Sequence, residues 1–225
     1  MNKHYRNKLT NNDKWVVERL FKGSKGGFYV DCGALDGEMG SSTYVLEKDF
    51  DWTGILIEPN PVLSKKIPQT RPNSICLECG LTSHNHVATY YDFDKKKGYN
   101  GFPSLNYSGE KGWWDKINRE VKCEPVEHQI QCITLEQALD QNNAPKVIDY
   151  LSMDTEGSEL EILREFPFSK YKFQCISLEF PPQELVNILT TNGYLKVLNP
   201  YSEVRWEYYF IHWDYAEKFN RQRTT

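Results

Sequence analysis

Two acids hold positions from which they could do chemistry. Asp31 closes the short apolar run Phe28, Tyr29, Val30, and the chain continues Asp-Cys-Gly-Ala-Leu-Asp-Gly to Gly37; Asp154 closes a second apolar run, Val147 to Met153. Glycines directly after a β-prone run let the backbone turn sharply and let a small molecule approach the strand's carboxyl end. The spacing Gly33-x-x-x-Gly37 departs from the G-x-G-x-x-G of dinucleotide sites, and Asp31 and Asp36 would repel a pyrophosphate. S-adenosylmethionine instead carries a sulfonium and an ammonium, and Coulomb attraction favours both beside a carboxylate. Glu58 ends the next apolar run, Gly54 to Ile57, where an acid can accept hydrogen bonds from both ribose hydroxyls. Ser41, Ser42 and Thr43 open a helix, so their hydroxyls and free amides are candidates to hold the cofactor's methionine carboxylate, with plain N-capping as the alternative.

At these residues the chain resembles the FkbM-type methyltransferases. Their pattern is an apolar-Asp-x-Gly-Ala-x-x-Gly turn, then Ser-x-Thr, then Gly-Ile-x-x-Glu-Pro, and it is matched by Asp31, Gly33, Ala34, Gly37, Ser41, Thr43, Gly54, Ile55, Glu58 and Pro59. A second block, Asp-x-Glu-Gly-x-Glu, appears as Asp154, Glu156, Gly157 and Glu159. The resemblance spans Gly26 to Glu179. It implies an α/β fold of the Rossmann-like class I methyltransferase type, a seven-stranded, mostly parallel sheet with one antiparallel strand and helices on both faces. It implies S-adenosylmethionine as cofactor, with Asp31, Gly33, Ala34, Asp36, Gly37, Ser42, Thr43, Glu58 and Pro59 around it. In that fold Gly80 and Leu81 border the adenine ring. The resemblance extends to Star-like animal proteins, in which the domain serves binding rather than catalysis.

Methyl transfer to an alcohol is an in-line displacement in which positioning supplies much of the rate, but the alcohol must lose its proton. Asp154 is the candidate for that task, either as general base or as ligand to a divalent cation that acidifies the hydroxyl. Glu179 closes the neighbouring run Phe173 to Leu178 and is the candidate second ligand, with Glu156 a poorer third; oxygen-only ligands favour magnesium or manganese. The alternative for Asp154 is a hydrogen bond to the cofactor or a helix cap. Acceptors consistent with the resemblance are a sugar hydroxyl in a glycan or glycosylated metabolite, a polyketide hydroxyl, or, less in keeping with the charge, an RNA hydroxyl.

The elements that must position these acids follow from periodicity. Asn11 to Phe21 has helical spacing and forms, with the linker that follows, an N-terminal arm over 1–25. Strands are expected at 28–30, 54–57, 74–79, 147–153 and 173–178, an accessory strand at Val87 to Phe93, another at 129–133, and a final hairpin from Leu195 to Leu198 and Glu207 to Trp213. Helices are expected from Ser41 to about Asp49, after Pro61, after Thr134 with Gln137 in a capping-box position, from Gly157 to Phe166, and from Gln183 to Thr190. Residues 94–128 break the pattern with Gly98, Gly101, Pro103, Gly109 and Gly112 among Tyr99, Phe102, Tyr107, Trp113 and Trp114. That composition fits an ordered lid over the acceptor cleft, its rings serving as platforms for sugars or as anchors to the core.

With 225 residues the chain fits one large domain. Its 27 basic and 31 acidic residues give a net charge of -4, which offers no positive field for nucleic acid or anionic membrane. No apolar stretch approaches the roughly 18 residues of a membrane span, and the polar start lacks a secretory core, so a cytoplasmic protein is expected. Cys76 and Cys79 form C-x-x-C but fall in an expected strand, which favours buried thiols over a zinc site.

Overall fold

The computed structural model describes residues 3–92, 104–105 and 126–221; most of the aromatic-rich stretch at 94–128, with all five of its rings, lies outside them. The arm contains α1 (Asn12–Lys14), continued by a wider π-helical turn over Trp15–Leu20. Then follow β1 (Phe28–Cys32), α2 (Tyr44–Phe50), β2 (Thr53–Ile57), α3 (Ile67–Thr70), β3 (Ile75–Leu77), β4 (Gly80–Leu81), β5 (His86–Asp92), β6 (Ser104–Leu105) and β7 (Val126–Ile133). The second half contributes α4 (Leu135–Gln141), β8 (Val147–Met153), α5 (Glu159–Arg164), β9 (Lys172–Glu179), α6 (Gln183–Thr191), β10 (Tyr194–Val197), β11 (Glu207–His212) and α7 (Trp213–Arg221).

Seven strands form one sheet in the order β10-β11-β9-β8-β1-β2-β3. All neighbours run parallel except β11, which is antiparallel to both β9 and β10, so one strand is reversed, as expected. The parallel strands are nearly continuous apolar runs because both faces are covered. Alternation along them sorts the core in two. Val30, Cys32, Leu151, Met153, Ile176 and Leu178 face α4, α5 and α6, whereas Tyr29, Leu56, Tyr150 and Cys175 face Trp15, Val45, Leu46 and Phe219 of the helices on the other side. The period of two places Asp31 on the face of Tyr29, toward α2, and this decides its partners.

Three local findings differ from the periodicity. The expected third strand over 74–79 is shorter: the chain leaves the main sheet after Leu77, and β4 pairs with β7 in a second, four-stranded sheet of order β4-β7-β5-β6. Cys76 and Cys79 therefore lie on either side of that break, and burial pushes their thiols up to about 11 and about 12. The accessory strand β5 pairs antiparallel with β7 over seven residues, His86 with Cys132 through Asp92 with Val126, so the 94–128 stretch leaves and re-enters through a β-ribbon. At the carboxyl end α7 starts directly from β11, which the sequence suggested only as far as the hairpin. His212 Nδ1 accepts from the Asp214 amide at 3.2 Å, and Phe219 meets Phe21 edge-to-face at 5.3 Å. Thr134 caps α4 as expected, its hydroxyl oxygen accepting from the Gln137 amide at 3.1 Å.

Candidate active site

A cavity of about 220 Å³ opens at the carboxyl ends of β1, β8 and β9. Whole small-ligand pockets measure roughly 300–1,000 Å³, so this one holds part of a ligand. Its walls carry Asp31, Gly33 and Ala34 from the turn after β1, Ser41 and Ser42 ahead of α2, Asp154 and Glu156 after β8, and Glu179 at the end of β9. Trp206 and Glu207 close one side, and residues of the arm close another. Among the described residues five carboxylates line it and no lysine, arginine or histidine does. A cavity of that composition attracts a cation and repels phosphate.

The turn after β1 is fixed by covalent geometry and by one buried cation. Gly33 has φ +86, and a Cβ there would stand 1.9 Å from the Asp154 carbonyl oxygen, so only glycine lets the ends of β1 and β8 approach this closely. Asp31 is buried; Thr43 Oγ1 donates to its Oδ2 at 2.5 Å and Ser41 Oγ at 3.4 Å. Behind them lies Arg71, with no exposed surface. It donates to Glu47 at 3.0 Å, to the Gly37 carbonyl at 3.0 Å, to Thr43 O at 3.1 Å and Oγ1 at 3.0 Å, and to the Tyr29 hydroxyl. Burial pushes the Asp31 carboxyl up, and the Thr43 hydroxyl and the Arg71 charge oppose it. Burial would raise Glu47 as well, but Ser74 and Arg71 hold it below the usual range.

On the opposite wall, Asp154, Glu156 and Glu179 each bring one carboxylate oxygen within 4.8 Å of the others. Asp154 is open to the cavity, yet protein surrounds it closely enough that lost hydration leads the causes raising it well above the carboxylate range. Glu179 follows, by charge and by a hydrogen bond between the two, with Glu159 and Asp31 adding to it. Burial pushes Glu156 up to about 8, helped by Asp154 and Glu159. Acids crowded in this way raise one another's proton affinity, and a cation among them would lower it. Glu159, the first residue of α5, turns back on the preceding loop: its Oε1 accepts from the Thr155 amide at 2.8 Å and hydroxyl at 2.9 Å, fixing the bend in which Glu156 has φ 56.

The structure thus brings Asp31, Gly33, Ala34, Ser42, Asp154 and Glu179 to one cavity, and it assigns other surroundings to the remaining expected residues. Thr43 is fully buried and bonds Asp31 and Arg71, so it stands behind the cavity wall. The amides of Thr43 and Tyr44 point to Ser41 Oγ, both at 3.1 Å, which is the capping alternative. Asp36 Oδ1 accepts from the Glu38 and Met39 amides at 3.1 and 2.8 Å, closing the turn, and Gly37 packs on Thr70 and Arg71. Both oxygens of Glu58 are taken by backbone amides, Leu35 at 2.7 Å and Asn60 at 2.8 Å, and the side chain is buried; neither it nor Pro59 lines the cavity. Gly80 and Leu81 pair with Cys132 and Ile133, and Leu81 packs into the core. Of the histidines, His84 and His86 stack on each other at 4.5 Å, and neither they nor His212 line the cavity. No pattern in the sequence pointed to Arg71, an isolated basic residue before a proline, or placed the arm, Trp206 and Glu207 in the cavity wall.

Two buried acids predict how stability responds to pH. Burial pushes Glu58 up to about 7, opposed by the Asn60 and Leu35 amides, and pushes Glu207 up to about 7, opposed by Asn12. Their ordinary value is 4.5. Between these limits the native chain binds more protons than the unfolded chain, so this contribution falls as pH rises from about 4.5 to about 7. The ligand-free protein is expected to melt several degrees higher near pH 5.5 than near pH 8 in scanning fluorimetry; equal midpoints would mean the two acids are ionised throughout.

A seven-stranded sheet of this order with the next-to-edge strand reversed, carrying a cation-suited cavity at its carboxyl edge, is the Rossmann-like architecture of class I S-adenosylmethionine-dependent methyltransferases. The family model described as Methyltransferase FkbM domain matches residues 31–196. The chain belongs to this family of S-adenosylmethionine-dependent methyltransferases. Among solved structures it is similar to the methyltransferase FkbM from Methylobacillus flagellatus KT, at 18% identity and a TM-score of 0.48, over 84% of this chain and 44% of that one. It therefore spans less than half the length of that relative. A TehB-like S-adenosylmethionine-dependent methyltransferase from Corynebacterium glutamicum is similar at 9% identity and a TM-score of 0.44, over 89% of this chain and 87% of that one. Aeropyrum pernix fibrillarin with bound S-adenosyl-L-methionine is similar at 11% identity and a TM-score of 0.39, over 84% and 68% of the two chains. No curated protein matches the chain. Among the described residues no helix is long and apolar enough to cross a membrane.

Proposed function

We propose that this domain transfers a methyl group from S-adenosylmethionine to a hydroxyl of a sugar, in a glycan or a glycosylated metabolite. The observation that carries this reading is the cavity at the sheet's carboxyl edge, walled among the described residues by five carboxylates and no basic side chain. When bound, the cofactor supplies an electrophilic methyl group on a sulfonium that leaves as a neutral thioether. Asp31, fixed by Thr43 and Arg71, offers a carboxylate to its positive end. Asp154 takes the acceptor's proton: a cation entering the cavity lowers its proton affinity by the same Coulomb effect through which the neighbouring acids raise it. In the second route Asp154, Glu156 and Glu179 hold magnesium or manganese, which suit an oxygen-only donor set. Glu58 and the 80–81 backbone belong to this reading as neighbours of the adenosine half.

Incubating the protein with methyl-labelled cofactor and a panel of glycans, followed by mass spectrometry, is expected to give a product heavier by one methyl group on oxygen. Transfer to a polyketide hydroxyl or to RNA alone would overturn the sugar assignment while keeping the chemistry. Calorimetric titration with S-adenosylmethionine that gave neither heat nor thermal shift would leave a non-catalytic binding module. Chelation separates the two routes: turnover that survives EDTA leaves Asp154 acting as a base by itself, and turnover lost to EDTA and restored by magnesium or manganese assigns it with Glu179 to a cation.

A further inference from the structure

Part of the cavity wall comes from residues on either side of the matched segment 31–196: Thr10 and Asn12 from the arm, Trp206 and Glu207 at the start of β11. The wall is rigidly built. Asp13 accepts from the Arg6 and Asn7 amides at 2.7 and 3.0 Å, Asn199 Nδ2 donates to the Thr10 carbonyl at 3.1 Å, and the Tyr209 hydroxyl donates to Asn12 Oδ1 at 2.9 Å. Asn12 Nδ2 in turn donates to Glu207 Oε1 at 2.6 Å. Within this wall Thr10 is 7% exposed, and its Oγ1 is buried with no hydrogen-bond partner among the described residues. A buried hydroxyl left unpaired is costly and rare in a finished site, and a ligand group can supply its partner.

The aromatic side of the same wall is unusual in a different way. Trp206 lines the cavity, and Phe180, next to Glu179, stacks on it at 6.0 Å with a 16° tilt. Phe180 is 68% exposed and has φ 43, a left-handed conformation that bulky residues seldom adopt, held by its amide donating to the Trp206 carbonyl at 2.9 Å. Such strain persists where the surroundings enforce it, and it clusters at ligand sites.

We propose that Thr10, Glu207 and the Trp206–Phe180 stack form the acceptor subsite, and that it takes a pyranose ring: the ring's C–H face lies on Trp206 while its hydroxyls pair with Thr10 Oγ1 and the Glu207 carboxylate. A wholly apolar acceptor would leave the Thr10 hydroxyl unpaired, and a phosphate-bearing one would meet five carboxylates. The proposal rests on the cavity being a methyltransferase active site, and the test separates the two. The ¹⁵N-indole signal of Trp206, assigned among the six tryptophans by its loss in Trp206→Phe, is followed while methyl α-D-mannopyranoside or methyl α-D-glucopyranoside is added to protein with and without S-adenosylhomocysteine. A saturable shift with at least one pyranoside, absent with sorbitol and weakened about threefold to tenfold in Thr10→Val, is expected. Thr10→Val and Phe180→Ala are each checked for an unchanged melting midpoint, and loss of the shift in Phe180→Ala supports the subsite should Thr10→Val fail to fold. No shift with either pyranoside, an equal shift with sorbitol, a shift only with uridine monophosphate, or a shift undiminished in both variants overturns it. Calorimetric heat from S-adenosylhomocysteine without a pyranoside shift sinks the subsite and spares the methyltransferase reading; a pyranoside shift without that heat does the reverse.

Discussion

Replacing Asp154 with asparagine is expected to lower methyl transfer by about 10²–10⁴-fold, the contribution of a positioned proton acceptor, in a protein that stays folded and still binds cofactor. The backbone of Asp154 carries the structural duty: its amide donates to the Cys32 carbonyl at 3.0 Å and its carbonyl packs against Gly33. The side chain projects among Glu156, Glu159 and Glu179, and asparagine keeps its shape while removing one member of a crowd of like charges. The melting midpoint should therefore hold or rise. Label transfer, scanning fluorimetry and cofactor calorimetry on the same preparation decide the outcome. Unchanged turnover removes Asp154 from the mechanism, and turnover lost together with cofactor binding makes it a cofactor ligand.

Arg71→Met is the largest stability change expected. Removing one partner of a buried ion pair leaves an uncompensated charge and costs about 3–5 kcal/mol, which for a chain of this length lowers the midpoint by roughly 6–20 °C. Here Glu47, equally buried, would lose the guanidinium, and the Gly37 carbonyl, Thr43 and the Tyr29 hydroxyl would each lose a donor. Cofactor affinity should fall as well, because Thr43 holds Asp31 and Arg71 holds Thr43. Combining Arg71→Met with Glu47→Gln should recover much of the lost stability, since neutralising both partners removes the stranded charge. A drop of less than about 1 kcal/mol in denaturant titration would show that water or another group solvates Glu47 in the variant.

Both residues illustrate what a linear reading can hold. The apolar runs ending at Asp31, Asp154 and Glu179 were legible because a parallel strand covered on both faces must be continuously apolar, and the residue after such a run falls at the sheet's edge. Gly33 was legible because a sharp turn against a neighbouring strand tolerates no Cβ. The α7 helix was missed because its apolar positions follow a strand without a break. The short β3 was overextended because alternation says nothing about where a chain changes sheets.

By itself the sequence determined the sheet, its one reversed strand and the gathering of acids at its carboxyl edge, since periodicity and local turn chemistry act over a few residues. Only the tertiary structure decided that Arg71 holds Thr43 and, through it, Asp31 from behind, that Glu58 spends both oxygens on backbone amides, and that the arm and the start of β11 share a wall with Asp154. Those contacts join residues far apart in the chain, such as Asn12 and Glu207, and no pattern within a segment encodes a partner that only packing brings near.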